Sequence, residues 1–202
     1  MNENKINQRR SDIIEAAIQV FSEKGYHATK ISDIAELLKI GHGTFYRYFK
    51  SKFDIFNAIA DDLILHVGQM VTTEAPTESN SLEDYRAQLN RIGKSLFDIF
   101  MTDIRIFRIA FYELLGVDAT LNEKLENAIK LFDLYTEQYL INGVNKCFLR
   151  PDLDTEVIAK AVNGMIFVSC KAVLDAEDKD AAYQRWMNSV SLLMLDGMAL
   201  RA

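Results

Sequence analysis

Proline and cysteine are scarce in this chain of 202 residues, and each scarcity excludes something. Proline occurs only at positions 76 and 151, so long stretches are free of helix breakers. Cys147 and Cys170 lie far apart with no ligand spacing around them, which argues against a disulfide framework or a cysteine-based metal site. Their apolar surroundings predict buried free thiols. There is no run of about 18 uncharged apolar residues, and the opening MNENKINQRR lacks the apolar centre of a secretory signal. A membrane is therefore not an expected partner, and the expected location is the cytoplasm. His27, His42 and His66 have neither a paired nucleophile nor metal-ligand spacing, and there is no glycine-rich phosphate loop. Neither a catalytic site, a metal nor a cofactor is expected.

What is present is a core-forming composition, 49% hydrophobic, with a net charge of −6 that is unevenly spread. Residues 1–55 hold nine lysine and arginine against seven aspartate and glutamate, or +2, while the remainder holds fourteen against twenty-two, or −8. The acidic total argues against nucleic acid, but the N-terminal part taken alone does not.

Helical periodicity dominates and strand alternation is nearly absent, so the expected fold class is all-α. Ile13, Ile14, Ala17, Val20 and Phe21 form one stripe, closed by Gly25 where a left-handed cap is needed. Thr29 is the expected N-cap of a short second helix with the stripe Ile31, Ile34, Ala35 and Leu38, and Lys39-Ile40-Gly41 makes a turn. A third short helix is predicted over His42–Phe49, with Phe45 and Phe49 turned to the core. A longer helix follows from Lys52 to about Thr73, then a polar loop, TEAPTESNS. Stripes at Tyr85, Leu89, Ile92, Leu96 and Ile99, and at Leu125, Ala128, Phe132, Tyr135 and Tyr139, mark further amphipathic helices. The last two are expected over Thr155–Asp175, with Asp154 as N-cap, and Asp180–Leu200.

Two short helices joined by a tight turn, the second carrying small, hydroxyl and aromatic side chains, fit the DNA major groove. The segment RRSDIIEAAIQVFSEKGYHATKISDIAELLKIGHGTFYRYFKSKFDIF resembles the N-terminal domain of the TetR/AcrR family of bacterial transcription regulators over roughly residues 9–60. The marks are Arg10, the Ala16-Ala17 pair, Phe21, Gly25-Tyr26, Thr29, Ile34-Ala35, Gly43-Thr44-Phe45-Tyr46, Phe49 and Lys52. The resemblance implies that Thr44 and Tyr46 face DNA, with Gly43 beside them, that Tyr48 and Lys52 hold phosphates, and that His42 begins the recognition helix. Lys30 is a further phosphate candidate, and His42 and Arg47 are candidate base readers. Lys39 and Gly41 depart from the family pattern, in which glycine and a hydroxyl residue are usual. A non-glycine residue in a left-handed conformation costs on the order of 1 kcal/mol, which the turn can bear.

Beyond residue 60 the resemblance is one of length and helical arrangement. It implies a DNA-binding domain over 1–52, a connecting helix over 53–73, and a ligand-binding and dimerisation domain over 53–202. In such a fold the last two helices pair with those of a second copy, and Val157, Ala161, Gly164, Val168 and Ala172 face Trp186, Val190, Leu193 and Gly197 as the expected interface. The same stripes are also compatible with closing the monomer's own core. Aromatic and sulfur side chains in between suggest an apolar cavity lined by His66, Leu96, Phe100, Phe107, Phe111, Phe132, Tyr135 and Met165. The reading that results is a homodimeric repressor released from a double-stranded DNA operator by a small apolar or aromatic effector. The alternatives are an activator using the same module and a helical binding protein without a DNA function.

Overall fold

The computed structural model describes residues 3–113 and 117–200, with the side chains of Glu3, Phe111 and Tyr112 left aside. Among the described residues it is helical with no strand: α1 (Glu3–Lys24), α2 (Ile31–Leu37), α3 (His42–Tyr46), α4 (Lys52–Val71), α5 (Leu82–Thr102), α6 (Ile104–Tyr112), α7 (Ala119–Asn145), α8 (Thr155–Asp175) and α9 (Lys179–Met198). The chain divides into two compact units, one of residues 1–65 and 103–123, the other of 66–102 and 124–202. The first unit thus runs past residue 52 and takes in α6, whose neighbours in sequence belong to the second.

The first unit is built from local signals. The chain leaves α1 at Gly25, φ +79°, whose N–H donates to the Phe21 carbonyl. A side chain in that conformation would be strained, so glycine is the natural residue there. α2 closes with the N–H of Ile40 on the carbonyl of Ala35 and Lys39 at φ +53°, a left-handed cap held by a non-glycine residue. Gly41 then enters α3 in extended conformation, φ −74° and ψ 151°. Thr29 is not the N-cap of α2: it is buried and its hydroxyl donates back to the Gly25 carbonyl, while Lys30 occupies the cap position. At the start of α4 the Asp54 N–H donates to the Ser51 hydroxyl, and the Asp54 carboxylate accepts the N–H of Lys50. The core is Ile13, Ala17, Phe21, Ile34, Phe45, Phe49, Ile55 and Phe56, all buried, with Phe21 and Phe56 edge to face at 5.4 Å.

In the second unit α5 and α8 both pack on α9, and a cluster of Tyr85, Tyr139, Leu140, Leu149, Ala159 and Leu195 forms its centre. Asp154 caps α8 by accepting the Val157 N–H, and Asp178 rather than Asp180 marks the start of α9. The polar loop before α5 is tied down: Gln88, fully buried, donates to the Ala75 carbonyl and accepts from Ser79. Lys146 spans the carbonyls of Thr77 and Ser79 and the side chain of Asn80. Cys147, expected to be buried, is exposed at φ +61° just past α7. Cys170 is the sheltered thiol, pushed up to about 12 by burial. The helix α8 is long and apolar enough to cross a membrane by length and composition, although Lys160 and Lys171 interrupt its apolar run.

Candidate nucleic-acid interface and apolar cleft

In the first unit α2 and α3 meet through the Lys39–Gly41 turn, and α3 keeps only Phe45 in the core. Its outer side presents His42, Gly43 and Arg47, all exposed, with the Tyr46 ring 53% exposed and Thr44 and Tyr48 half-buried. Arg47 lies over the Tyr48 ring at 6.0 Å. A Cβ added at Gly41 or Gly43 would meet no atom within 4 Å, so the protein's own packing does not require glycine at either position. Lys30 is exposed one residue before α2. α3 is a five-residue helix held by one buried ring, and its outer face offers hydroxyl, imidazole and guanidinium groups to a neighbouring surface.

Lys52 has a different surrounding from the expected phosphate contact. Its ammonium donates to the carbonyls of Tyr26, Thr29 (2.9 Å) and His27 (3.3 Å) and sits 4.3 Å from the centre of the Tyr26 ring. An ammonium has three hydrogens, and all three are committed to the turn between α1 and α2. Desolvation there lowers its pKa from the ordinary lysine value. Lys52 therefore holds the turn that leads into the helix pair, a role that nothing in the local sequence pattern signals.

Two further contacts fix α6 to this unit. Asp103 caps α6 and grips Arg105 with both oxygens, and the same guanidinium reaches Glu15 on α1 at 2.7 Å. This pairing holds the Asp103 carboxyl below the usual carboxylate range, the Arg105 hydrogen bond being the largest cause. At the other end Glu113 accepts the Tyr26 N–H at 3.1 Å and lies beside Gly25.

In the second unit α5, α8 and α9 enclose a cleft of about 100 Å³ lined almost entirely by apolar side chains, among them Leu96, Phe100, Val162, Val173, Trp186 and Val190. Gly93 opens one wall; a Cβ there would stand 2.7 Å from Met187. Of the side chains expected to line a cavity, Leu96 and Phe100 do. Phe107 is instead buried in the first unit, because α6 belongs there. Tyr135 packs toward Tyr139 at 5.8 Å, Phe132 and Met165 are half-buried away from the cleft, and His66 is exposed on α4. The Phe111 side chain lies outside the described residues. Trp186 and Val190, expected at a dimer face, line the cleft; their partners in the same expectation do not. Val157, Ala161, Gly164, Val168 and Ala172 on α8 and Leu193 and Gly197 on α9 are exposed. Val168 and Leu193 are 67% and 66% exposed, and a Cβ at Gly164 or Gly197 would meet open space.

A paired short-helix unit with a polar outward helix, followed by a larger helical unit, defines a helix-turn-helix DNA-binding regulator. Residues 13–59 match the family model for bacterial regulatory proteins of the TetR family. The fatty acid metabolism regulator protein of Bacillus subtilis is 23% identical over 154 residues, covering 76% of this chain and 77% of that protein. The regulator YvdT of the same organism is 48% identical over 54 residues, 27% of this chain and 28% of that one. Among solved structures, the fatty acid degradation regulator FadR from Bacillus halodurans superposes with a TM-score of 0.74 at 22% identity, covering 95% of this chain and 97% of that chain. FadR from Bacillus subtilis in complex with stearoyl-CoA gives 0.72 at 24% identity over 93% and 98%. Residues 13–59 are thus a regulatory-protein domain of the TetR family, and over most of its length the chain is similar to fatty acid metabolism regulators.

Proposed function

We propose that the chain is a homodimeric repressor that leaves its operator when an apolar effector enters the cleft between α5, α8 and α9. The observation that carries this reading is the two-sided character of α8. One side lines the apolar cleft, and the other exposes Val157, Val168 and the open Gly164. A helix apolar on both sides needs cover on both, and a second copy of α8 and α9 supplies it with twofold symmetry. The same apolarity accounts for the helix's membrane-like composition. Two recognition helices then lie about 34–36 Å apart, or a multiple of it, on a partly palindromic operator in the cytoplasm.

Among the described residues the cleft is lined by no lysine, arginine or histidine, so the part of the effector it takes is uncharged. The relatives named for fatty-acid metabolism make an acyl chain the first candidate. At about 100 Å³ the cleft holds only a few carbons as it stands, and Met187 and Met194 are flexible side chains able to make way. The chain passes from α5, which lines the cleft with Phe97 and Phe100, to α6 through Asp103 alone. An effector that repositions α5 therefore pulls on the helix that Glu15 and Glu113 fasten to the DNA-binding unit.

The test pairs sedimentation with gel shifts on a duplex selected from a random pool, titrated with acyl-CoA esters of increasing chain length. The expected result is a dimer whose DNA complex is dissolved by long chains and not by coenzyme A. A monomer, or a complex indifferent to every chain length, contradicts the reading.

A further inference from the structure

The apolar lining of the cleft is interrupted by a buried tyrosine. Tyr183 on α9 is only 8% exposed, and its ring stacks on Phe97 with centres 4.4 Å apart; both rings line the cleft. The stack fixes where the hydroxyl sits, 3.7 Å from the place a Cβ would take at Gly93, the residue that opens that wall. Among the described residues nothing accepts from this hydroxyl or donates to it, and none of them holds a side-chain oxygen that is both sealed and unpartnered. The ring is therefore buried while the hydroxyl stays within reach of an entering group. Burial, and after it the Asp98 carboxylate, raises its pKa above the ordinary tyrosine value, so at neutral pH it is a protonated donor. Ser169, the other buried hydroxyl of the lining, already donates to the Met165 carbonyl at 2.7 Å.

The surroundings say what such a donor can meet. On α5 the cleft-lining Gly93 and Phe97 are each followed by an exposed charged residue, Lys94 and Asp98, and these two pair with each other. The Tyr183 hydroxyl thus stands where the apolar lining gives way to a charged rim. A plain hydrocarbon covering that point takes the donor out of contact with water and offers no acceptor, which is unfavourable. A neutral carbonyl at the same point restores the hydrogen bond without bringing a charge to a lining that holds no cation. We propose that Tyr183 sets the class of effector the cleft takes: its hydroxyl donates to the neutral carbonyl of an ester or thioester at the rim, with the chain inside and the rest of the molecule outside. The inference rests on the reading of the cleft as an acyl-chain site and adds to it the group by which the molecule is recognised.

Trp186, the sole tryptophan of the chain, lines the cleft, so its fluorescence reports binding in the intact chain without DNA. The probes are decanoyl-coenzyme A, S-decyl-coenzyme A, in which a methylene replaces the carbonyl, and methyl decanoate. The wild type is expected to bind decanoyl-coenzyme A about five- to tenfold more tightly than the S-decyl compound, the contribution of one hydrogen bond. Tyr183→Phe keeps the ring stack and removes the oxygen alone, and it is expected to lose that preference with an unchanged thermal midpoint. A parallel loss for methyl decanoate assigns recognition to an ester carbonyl in general, and a loss confined to decanoyl-coenzyme A assigns it to the thioester. A wild type without preference between the two coenzyme A compounds, or a preference that persists in Tyr183→Phe, overturns the role of Tyr183 and leaves the cleft an acyl site. Fluorescence indifferent to all three probes overturns both.

Discussion

The two units of this protein hold together by different means. In the first, the turns are set by contacts close in sequence, Gly25 ending α1, Lys39 ending α2 and Gly41 opening α3, and one distant side chain, Lys52, draws three carbonyls of the α1–α2 turn together. In the second, the features of interest arise only where α5, α8 and α9 meet, and the same helix supplies a wall of the cleft and an open apolar face. The proposed DNA-reading surface is thus fixed mainly by turn backbone and one lysine, while the proposed effector cavity depends on packing that can adjust.

The sharpest way to break this contrast is at Lys52. Lys52→Met removes a charged donor from three carbonyls, and the loss expected for the first unit is about 3 kcal/mol. DNA binding falls with it at every sequence, and chemical denaturation followed by circular dichroism should resolve an early transition absent from the wild type. If the unit is as stable as before and only the salt slope changes, Lys52 is a phosphate contact after all. Leu193→Asp tests the second unit: a carboxylate on the open face of α9 is expected to weaken self-association at least about a hundredfold by desolvation and like-charge repulsion across the twofold axis, read by sedimentation. Gly93→Ala is a milder change. Its methyl group displaces Met187 into the cleft, raising the effector concentration for release by about tenfold while leaving unliganded DNA binding unchanged. The smallest effect concerns Asp103. Its carboxyl is held below the ordinary value, so the stability it adds is full above about pH 4 and is lost as pH falls through the lowered value. The thermal midpoints of wild type and Asp103→Asn should therefore converge in acid and differ near neutrality.

How far the sequence could be read follows the same division. The all-α class, the caps at Gly25 and Asp154, the left-handed Lys39 and the inward Phe45 all follow from local chemistry, and each is found in the fold. Thr29 misled because a buried hydroxyl returning to a carbonyl four residues back has the same sequence neighbourhood as a cap. The break at Asp103 was hidden in a continuous helical pattern, and with it the transfer of Phe107 to the first unit. Trp186 and Val190 share a helix with Leu193 and Gly197, and periodicity alone does not say which of two apolar sides meets a cleft and which meets open space. Lys52 stands out in the sequence as a phosphate candidate, but its carbonyl partners are backbone atoms that no side-chain pattern reveals.

Reading of DNA by the outer face of α3 is what the whole mechanism depends on, and Tyr46 is the most exposed ring of that face. Duplexes enriched by the wild type from a random pool should carry two half-sites on one face of the helix. On the best of these, Tyr46→Ala is expected to bind at least about thirtyfold more weakly, at about 1 kcal/mol or more for each of two half-sites, while sedimenting as the wild type does. Equal affinity of the two proteins for that duplex would contradict the account.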